Sequence, residues 1–294
     1  MDKRLHIVSW GAGQQRKRTS EKNWSEPLKW NAEAAAKGVR YRVFCASLAD
    51  VFDNEVPDAW RVDLFRLIEA TPNLDWLLLT KRIGNVEKML DKAGSLMAEV
   101  LVWPKPNVWL GATICNQDEA DRDLPKLLTT PAAKHFLSME PLLGPVDLAS
   151  PYTSKLFKWA LAQDGITLPY SPADPHTGIP DAVGEDLLPG LDWVIVGGES
   201  GAHARPMHPD WVRSLRDQCN AAGVALHFKQ WGEWAPREPY ESELMESDEL
   251  CGKWDGTMFR FGKKAAGREL DGRTWDELPA QGSPSASNES VSIS

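Results

Sequence analysis

The residues able to do chemistry in this chain fall into six short clusters, each closing or following a run of apolar residues. Ser47 and Asp50 follow YRVFCA (41–46), Thr80, Lys81 and Arg82 close WLLLT (76–80), and Asn116 and Gln117 follow NVWLGA (107–112). Ser138 and Glu140 end HFLSME (135–140), Gly197, Gly198, Glu199 and Ser200 close WVIVG (193–197), and Lys229, Gln230 and Trp231 end ALHFK (225–229). Carboxylates beside lysines are the equipment of general acid–base work, so Glu140, Glu199, Lys81 and Lys229 are the catalytic candidates. Ser47, Asp50, Arg82, Asn116, Gly197, Gly198, Ser200, Arg205 and Gln230 are the candidate ligand contacts. Two glycines after a buried strand let backbone N–H groups approach an anion closely, and Arg205 could clamp one. The competing reading of VIVGGESGAHARPMH (194–208) is a tight strand-to-loop turn fixed by a salt bridge.

Glu140 precedes Pro141, which favours an extended backbone there. Glu140 and Glu199 form a two-carboxylate site on neighbouring strands, or else pair with Lys81, Arg82 or Lys229. His203 and His208 stand five apart with no helix between them, so no metal site is expected. Cys45 ends its run too early to face a site and reads as a buried, inert thiol.

Such clusters converge only if the runs lie side by side and parallel. The runs start at 41, 76, 107, 135, 193 and 225, and four of the five intervals are close to thirty residues, the length of one βα unit. Each is short, rich in Val, Leu, Ile, Phe and Trp, and lacks polar alternation, as strands buried on both faces do. Helical apolar stripes fill the gaps at 57–70, 84–90, 117–128 and 209–222. The fold class expected is therefore α/β, a (βα) repeat rolled into a full or partial TIM-type barrel, with the site on the C-terminal strand ends. No GxGxxG follows the first run and no GxxxxGK[ST] occurs, which lowers the case for dinucleotide and P-loop folds. The long interval holds a proline-rich insertion at about 150–191, read as a surface loop with a short helix at 153–162, or a lid. The remaining organisation is a basic N-terminal arm (1–40), a barrel core (41–230), a C-terminal appendage with a small hairpin (231–279) and a Ser-rich disordered tail (280–294).

Net charge is −9, which argues against a generally basic, nucleic-acid-coating surface. The charge is uneven, since residues 1–42 hold ten Lys/Arg against four Asp/Glu. That excess is either a solvated surface or a phosphate-contacting arm. The 14 tryptophans suit core packing better than a base-stacking platform. Four scattered cysteines in no CxxC spacing, with no apolar stretch long enough to span a membrane and no signal-peptide pattern, indicate a cytoplasmic chain with free thiols.

Eight ordered blocks carry a more specific likeness: FCASLADVF (44–52), LLTKR (78–82), NVWLGATICNQ (107–117), FLSMEPLLGPVDL (136–148), DWVIVGGESG (192–201), ARPMHPDWVRSLRDQC (204–219), FKQWGEW (228–234) and GKKAAGRELDGRTWDE (262–277). Over residues 20–279 the chain resembles the phage and prophage family named after gene products thirty-seven and sixty-eight, also met as three-Cys-motif proteins. That resemblance implies a fold similar to the radical S-adenosylmethionine barrel. It also implies, for the full-length family, a [4Fe–4S] centre held by three closely spaced N-terminal cysteines and open at its fourth iron to S-adenosylmethionine. This sequence departs from the pattern, for no cysteine precedes Cys45. The first strand and its cysteine loop are expected to be missing, and the chain as it stands is expected to bind no cluster. Three readings stand: a radical-enzyme derivative that completes itself upstream or with a three-Cys-motif partner protein and acts on a nucleotide or nucleic acid, a cluster-less nucleic-acid or protein binding module, or a metal-independent hydrolase or lyase built on Glu140 and Glu199.

Overall fold

The computed structural model describes residues 16–45, 49–97, 101–148, 190–236, 253–254, 257–280 and 290–292, with 253–254 and 290–292 as backbone alone. The six apolar runs are six strands: β1 (Tyr41–Cys45), β2 (Leu74–Thr80), β3 (Val108–Thr113), β4 (Lys134–Met139), β5 (Trp193–Gly197) and β6 (Ala225–Gln230). The helix α1 (Glu21–Lys37) precedes β1, and between the strands run α2 (Asp58–Ala70), α3 (Val86–Met97), α4 (Gln117–Thr129) and α5 (Pro209–Ala222). Alternation of strand and helix is thus the organisation of the chain, an α/β fold with parallel strands. Among the described residues no helix is long and apolar enough to cross a membrane.

The chain forms two compact units, Met1–Ala112 with Thr130–Lys134 and Gln281–Ser294, and Thr113–Thr129 with His135–Ala280. In the first, β1 pairs with β2 and β2 with β3, all parallel. Both faces are covered: Trp76, Leu78, Val108 and Leu110 on one face are fully buried, and Leu77 and Trp109 on the other are each 3% exposed, each buried apolar side chain contributing about 1.5–3 kcal/mol. Trp76 meets the polar demand of its indole by donating to Thr71 Oγ1 at 3.0 Å. Ser290–Ser292 form a strand, β10, that pairs parallel with the outer edge of β1, Val291 opposite Val43. The edge would otherwise leave a row of backbone groups unpaired.

In the second unit β4, β5 and β6 are parallel neighbours. The helix that feeds β6, α5, shows why its bounds were legible: His208 caps it, Pro209 opens it, and Gly223 closes it at φ 66°, the usual division of labour between proline and glycine. Beyond β6 the appendage builds a small antiparallel sheet from β7 (Trp234–Pro236), β8 (Lys253–Trp254) and β9 (Met258–Arg260), in the order β7–β9–β8, followed by a short helix, α6 (Lys263–Ala266). The chain then returns along the free side of β6, where Phe228 N–H donates to Trp275 O and Glu277 N–H to Leu226 O. Asp271, at φ 53°, turns this return segment and is gripped by Arg213 and Arg216 of α5.

Two expectations shift. The stripe at 84–90 is the start of a longer α3, entered through a 3₁₀ turn at Ile83–Asn85. The basic arm contains α1, with Ser20 as N-cap and Gly38 at φ 66° as C-cap; with only Pro27 and Ala34 buried, it has too thin an apolar stripe to announce itself. Most of the proline-rich insertion, with the helix expected at 153–162, lies outside the described residues.

Candidate functional site

In the first unit the strand-end cluster is a closed knot. Asp50 accepts from Phe52 N–H (2.9 Å) and Thr80 Oγ1 (2.8 Å) through one oxygen, and from Lys81 N–H and Arg82 Nη1 (both 3.0 Å) through the other. Beside it, Asp53 takes Arg16 at 2.8 Å and Arg82 at 3.5 Å. Burial pushes the Asp53 carboxyl up, but the Glu55 N–H bond and the charges of Arg16 and Arg82 outweigh it and leave it below its ordinary value. The loop is shaped from beneath by Arg61, which is 2% exposed and donates to the carbonyls of Val51, Asp53 and Val56. Asp50 and Arg82 thus hold two strand ends together, while the Lys81 side chain is exposed. Ser47 lies outside the described residues.

In the second unit Asn116 caps α4, accepting from Glu119 N–H at 3.0 Å while the Glu119 carboxylate accepts from the N–H of Cys115, the residue before the cap, at 2.7 Å, a one-residue variant of the capping box. The structure brings together Glu140, Gly197 and Lys229. Along β5 and β6 the pairing puts Val196 opposite Phe228 and Gly197 opposite Gln230. Lys229 is the extra residue of a β-bulge, a device that re-aims a side chain. Its ammonium reaches Glu140 Oε2 at 2.9 Å, although β4 and β6 are separated by β5. The crossing needs Gly197: a Cβ there would stand 2.3 Å from Glu140 Oε1. Gly198 is required for a second close approach, its missing Cβ lying where the Trp231 carbonyl oxygen passes, 1.8 Å away. Gly198 N–H donates to Gln230 O, and Gly197 O accepts from Leu142 N–H. Both glycines are therefore approached by the protein's own chain.

Glu199 does not share a partner with Glu140. It accepts from Arg205 through the backbone N–H at 2.9 Å, Nε at 2.7 Å and Nη2 at 3.0 Å, and the Arg205 hydrogen bond holds its carboxyl below the usual range. Ser200 Oγ receives Gln230 Nε2 at 3.4 Å. One residue that the sequence reading passed over lies along the same strand. His227, two residues before Lys229 on β6, has Nδ1 3.3 Å from Asp276, and burial, with the Arg268 charge, lowers its pKa. Its i, i+2 spacing to Lys229 was the available signal.

The thiols of the described residues do not suit a cluster. Cys45 and Cys219 are buried and desolvation pushes each up to about 12, so neither offers the thiolate that iron requires. Cys45, Cys115 and Cys219 stand on or beside different elements, and among the described residues no three His, Cys, Asp or Glu side chains gather to hold a metal ion. The basic arm is also partly spent internally: Arg16 binds Asp53, and Arg18 binds Asp63 while stacking 3.9 Å above Trp24.

Comparison with known proteins adds one match. The family described as protein of unknown function (DUF5131) matches residues 2–279; no curated protein and no solved structure matches the chain. Matched over nearly its whole length, the chain belongs to the DUF5131 family of uncharacterised proteins.

Proposed function

We propose that this protein is a phage-type relative of the radical S-adenosylmethionine enzymes, built on a partial barrel, whose strand ends in the second unit bind a small molecule carrying an amino-acid zwitterion. S-adenosylmethionine is the leading ligand of that class. The observation that supports this is the Glu140–Lys229 pair, assembled over a glycine at a bulge. A structural ion pair needs neither device, since two side chains on adjacent strands would do. Here Glu140 is 20% exposed and Lys229 53% exposed, so the pair sits at the surface, weakly held and exchangeable. A zwitterion can replace it symmetrically, its ammonium on Glu140 and its carboxylate on Lys229, without leaving a charge unpaired. Ser200 and Gln230 stand on the neighbouring strand ends to accept and donate hydrogen bonds.

Burial raises the pKa of the Cys45 and Cys219 thiols, which does not suit either of them to ligate a cluster. The nucleic-acid reading draws on a basic arm whose Arg16 and Arg18 already serve carboxylates of their own unit, so it ranks second.

Calorimetric titration with S-adenosylmethionine, methionine and adenosine tests the proposal. The first two should bind saturably and adenosine should not. Glu140→Gln and Lys229→Ala should each weaken binding about tenfold or more. Equal affinity for adenosine, or affinities unmoved in both variants, would refute it.

A further inference from the structure

Paired residues of neighbouring strands share a face of the sheet, and every second residue along a strand returns to it. Ser138, Ile195 and His227 form such a row across β4, β5 and β6. It lies one step, about 7 Å, beneath the row that holds Glu140, Gly197 and Lys229. Ser138 and Ile195 are 5% and 6% exposed, whereas the His227 side chain is 24% exposed. His227 is thus the titratable member of the layer directly under the Glu140–Lys229 pair. From β5 the Trp193 ring stands 6.1 Å from its ring. From the return segment Asp276 Oδ1 comes within 3.3 Å of Nδ1 and is itself held by Arg268, while the Glu277 carboxylate turns away to Leu226 N–H at 3.0 Å. Glu140 of the β4 end and Lys229 of β6 supply the remaining charges. Burial is the main reason that the imidazole titrates below its ordinary 6.5, with the Arg268 charge next; Glu140 pulls it up more strongly than Lys229 pushes it down. The ring is therefore neutral at neutral pH, and once protonated it becomes a second cation competing for Glu140.

Resting on the reading of Glu140 and Lys229 as a zwitterion site, we propose that His227 gates that site by its protonation. A neutral imidazole admits the ligand's ammonium to Glu140, and an imidazolium opposes it. The imidazolium also attracts the ligand's carboxylate at Lys229, but the ammonium end decides the sign, because it stands at the charge to which His227 couples more strongly. Affinity is then complete above the folded-state pKa of His227 and falls as pH drops through it. By linkage the bound ligand lowers that pKa in turn. His227 acts through Glu140 and need not touch the ligand, which makes it a positioning residue.

The probe is methionine, a zwitterion throughout the window from about pH 5.5 to 7.5. Its calorimetric affinity for the wild-type protein should fall by about three- to tenfold from the upper to the lower end of that window. His227→Gln keeps a neutral hydrogen-bonding side chain and should hold the high-pH affinity at both ends. The His227 ring signals in NMR read the same coupling from the other side. Saturating methionine should move their titration to lower pH, and Glu140→Gln should move it about half a pH unit lower with no ligand present. That last measurement needs no binding and leaves His227 in place, so it decides the coupling by itself. Methionine binding with one affinity across the window, an equal pH slope in His227→Gln, or a His227 titration unmoved by Glu140→Gln would each overturn the gate and leave the zwitterion site standing. No methionine binding at any pH would instead sink the zwitterion site, and the gate with it.

Discussion

Asp50 and Glu140 are both carboxylates at the C-terminal end of a strand in a parallel α/β unit, and they are used in opposite ways. Asp50 accepts four hydrogen bonds, two of them from backbone N–H groups, and its side chain is 10% exposed. Glu140 accepts one, from an ammonium half in water. A carboxylate offers about four acceptor directions, so Asp50 has nothing left for a ligand and Glu140 has most of its capacity unspent. Polar residues at strand ends are therefore poor evidence of a site by themselves. What distinguishes a site is hydrogen-bonding capacity that the fold has not consumed.

The strongest way to break this comparison is to remove each carboxylate in turn. Asp50→Ala leaves a buried Thr80 hydroxyl, two backbone N–H groups and Arg82 Nη1 without their acceptor, a loss of about 3–5 kcal/mol. Glu140→Ala removes one exposed pair and should cost about 1 kcal/mol or less. Urea unfolding midpoints read both. Equal losses would mean that Glu140 is as structural as Asp50, and the ligand reading would lose its ground.

The two glycines sharpen the contrast inside the second unit. At Gly198 the space is taken by the Trp231 carbonyl, part of a backbone that cannot step aside, so Gly198→Ala should destabilise by about 2–3 kcal/mol or more. At Gly197 the space is taken by the Glu140 carboxylate, the far end of a flexible side chain. Gly197→Ala should cost only about 1 kcal/mol while swinging Glu140 off Lys229. A melting temperature close to wild type together with lost zwitterion binding is the expected pair of results. Retained binding would show that the crossing over Gly197 is incidental.

Most of the fold was legible because burial on both faces writes itself as short unbroken apolar runs: β5, as WVIVG, is buried at all five positions. The candidate site was legible only as a roster. Residue types at strand ends name Glu140, Gly197 and Lys229, but which of them meet depends on a bulge between Val196 and Gly197 that leaves no mark in composition or period. Asn116 shows the reverse case. Its place just before a helix and three residues from Glu119 is a capping box in plain sight, and a strand-end position drew attention away from it. Arg16 and Arg18 read as a charged arm because their partners, Asp53 and Asp63, lie 37 and 45 residues away, beyond any local pattern.

Acidification gives the finest test, since both units contain a carboxyl held below its ordinary pKa. For Asp53 the ordinary value is 3.8 and for Glu199 it is 4.5. A depressed folded-state value means that each contribution to stability is complete above the ordinary value and is lost as pH falls through the lower, folded one. The two differ in what salt can do. The Asp53 side chain is 9% exposed and opposed by two arginines, whereas Glu199 and Arg205 are 28% and 58% exposed. Screening should erase the second and leave most of the first. In stability measured against pH at low salt, Asp53→Asn and Glu199→Gln should each flatten the acid limb, the former more. In high salt only Asp53→Asn should still do so. If Glu199→Gln keeps its effect there, the Glu199–Arg205 pair is a structural clamp of the same kind as the Asp53 cluster, and the second unit is less open at its strand ends than its exposure indicates.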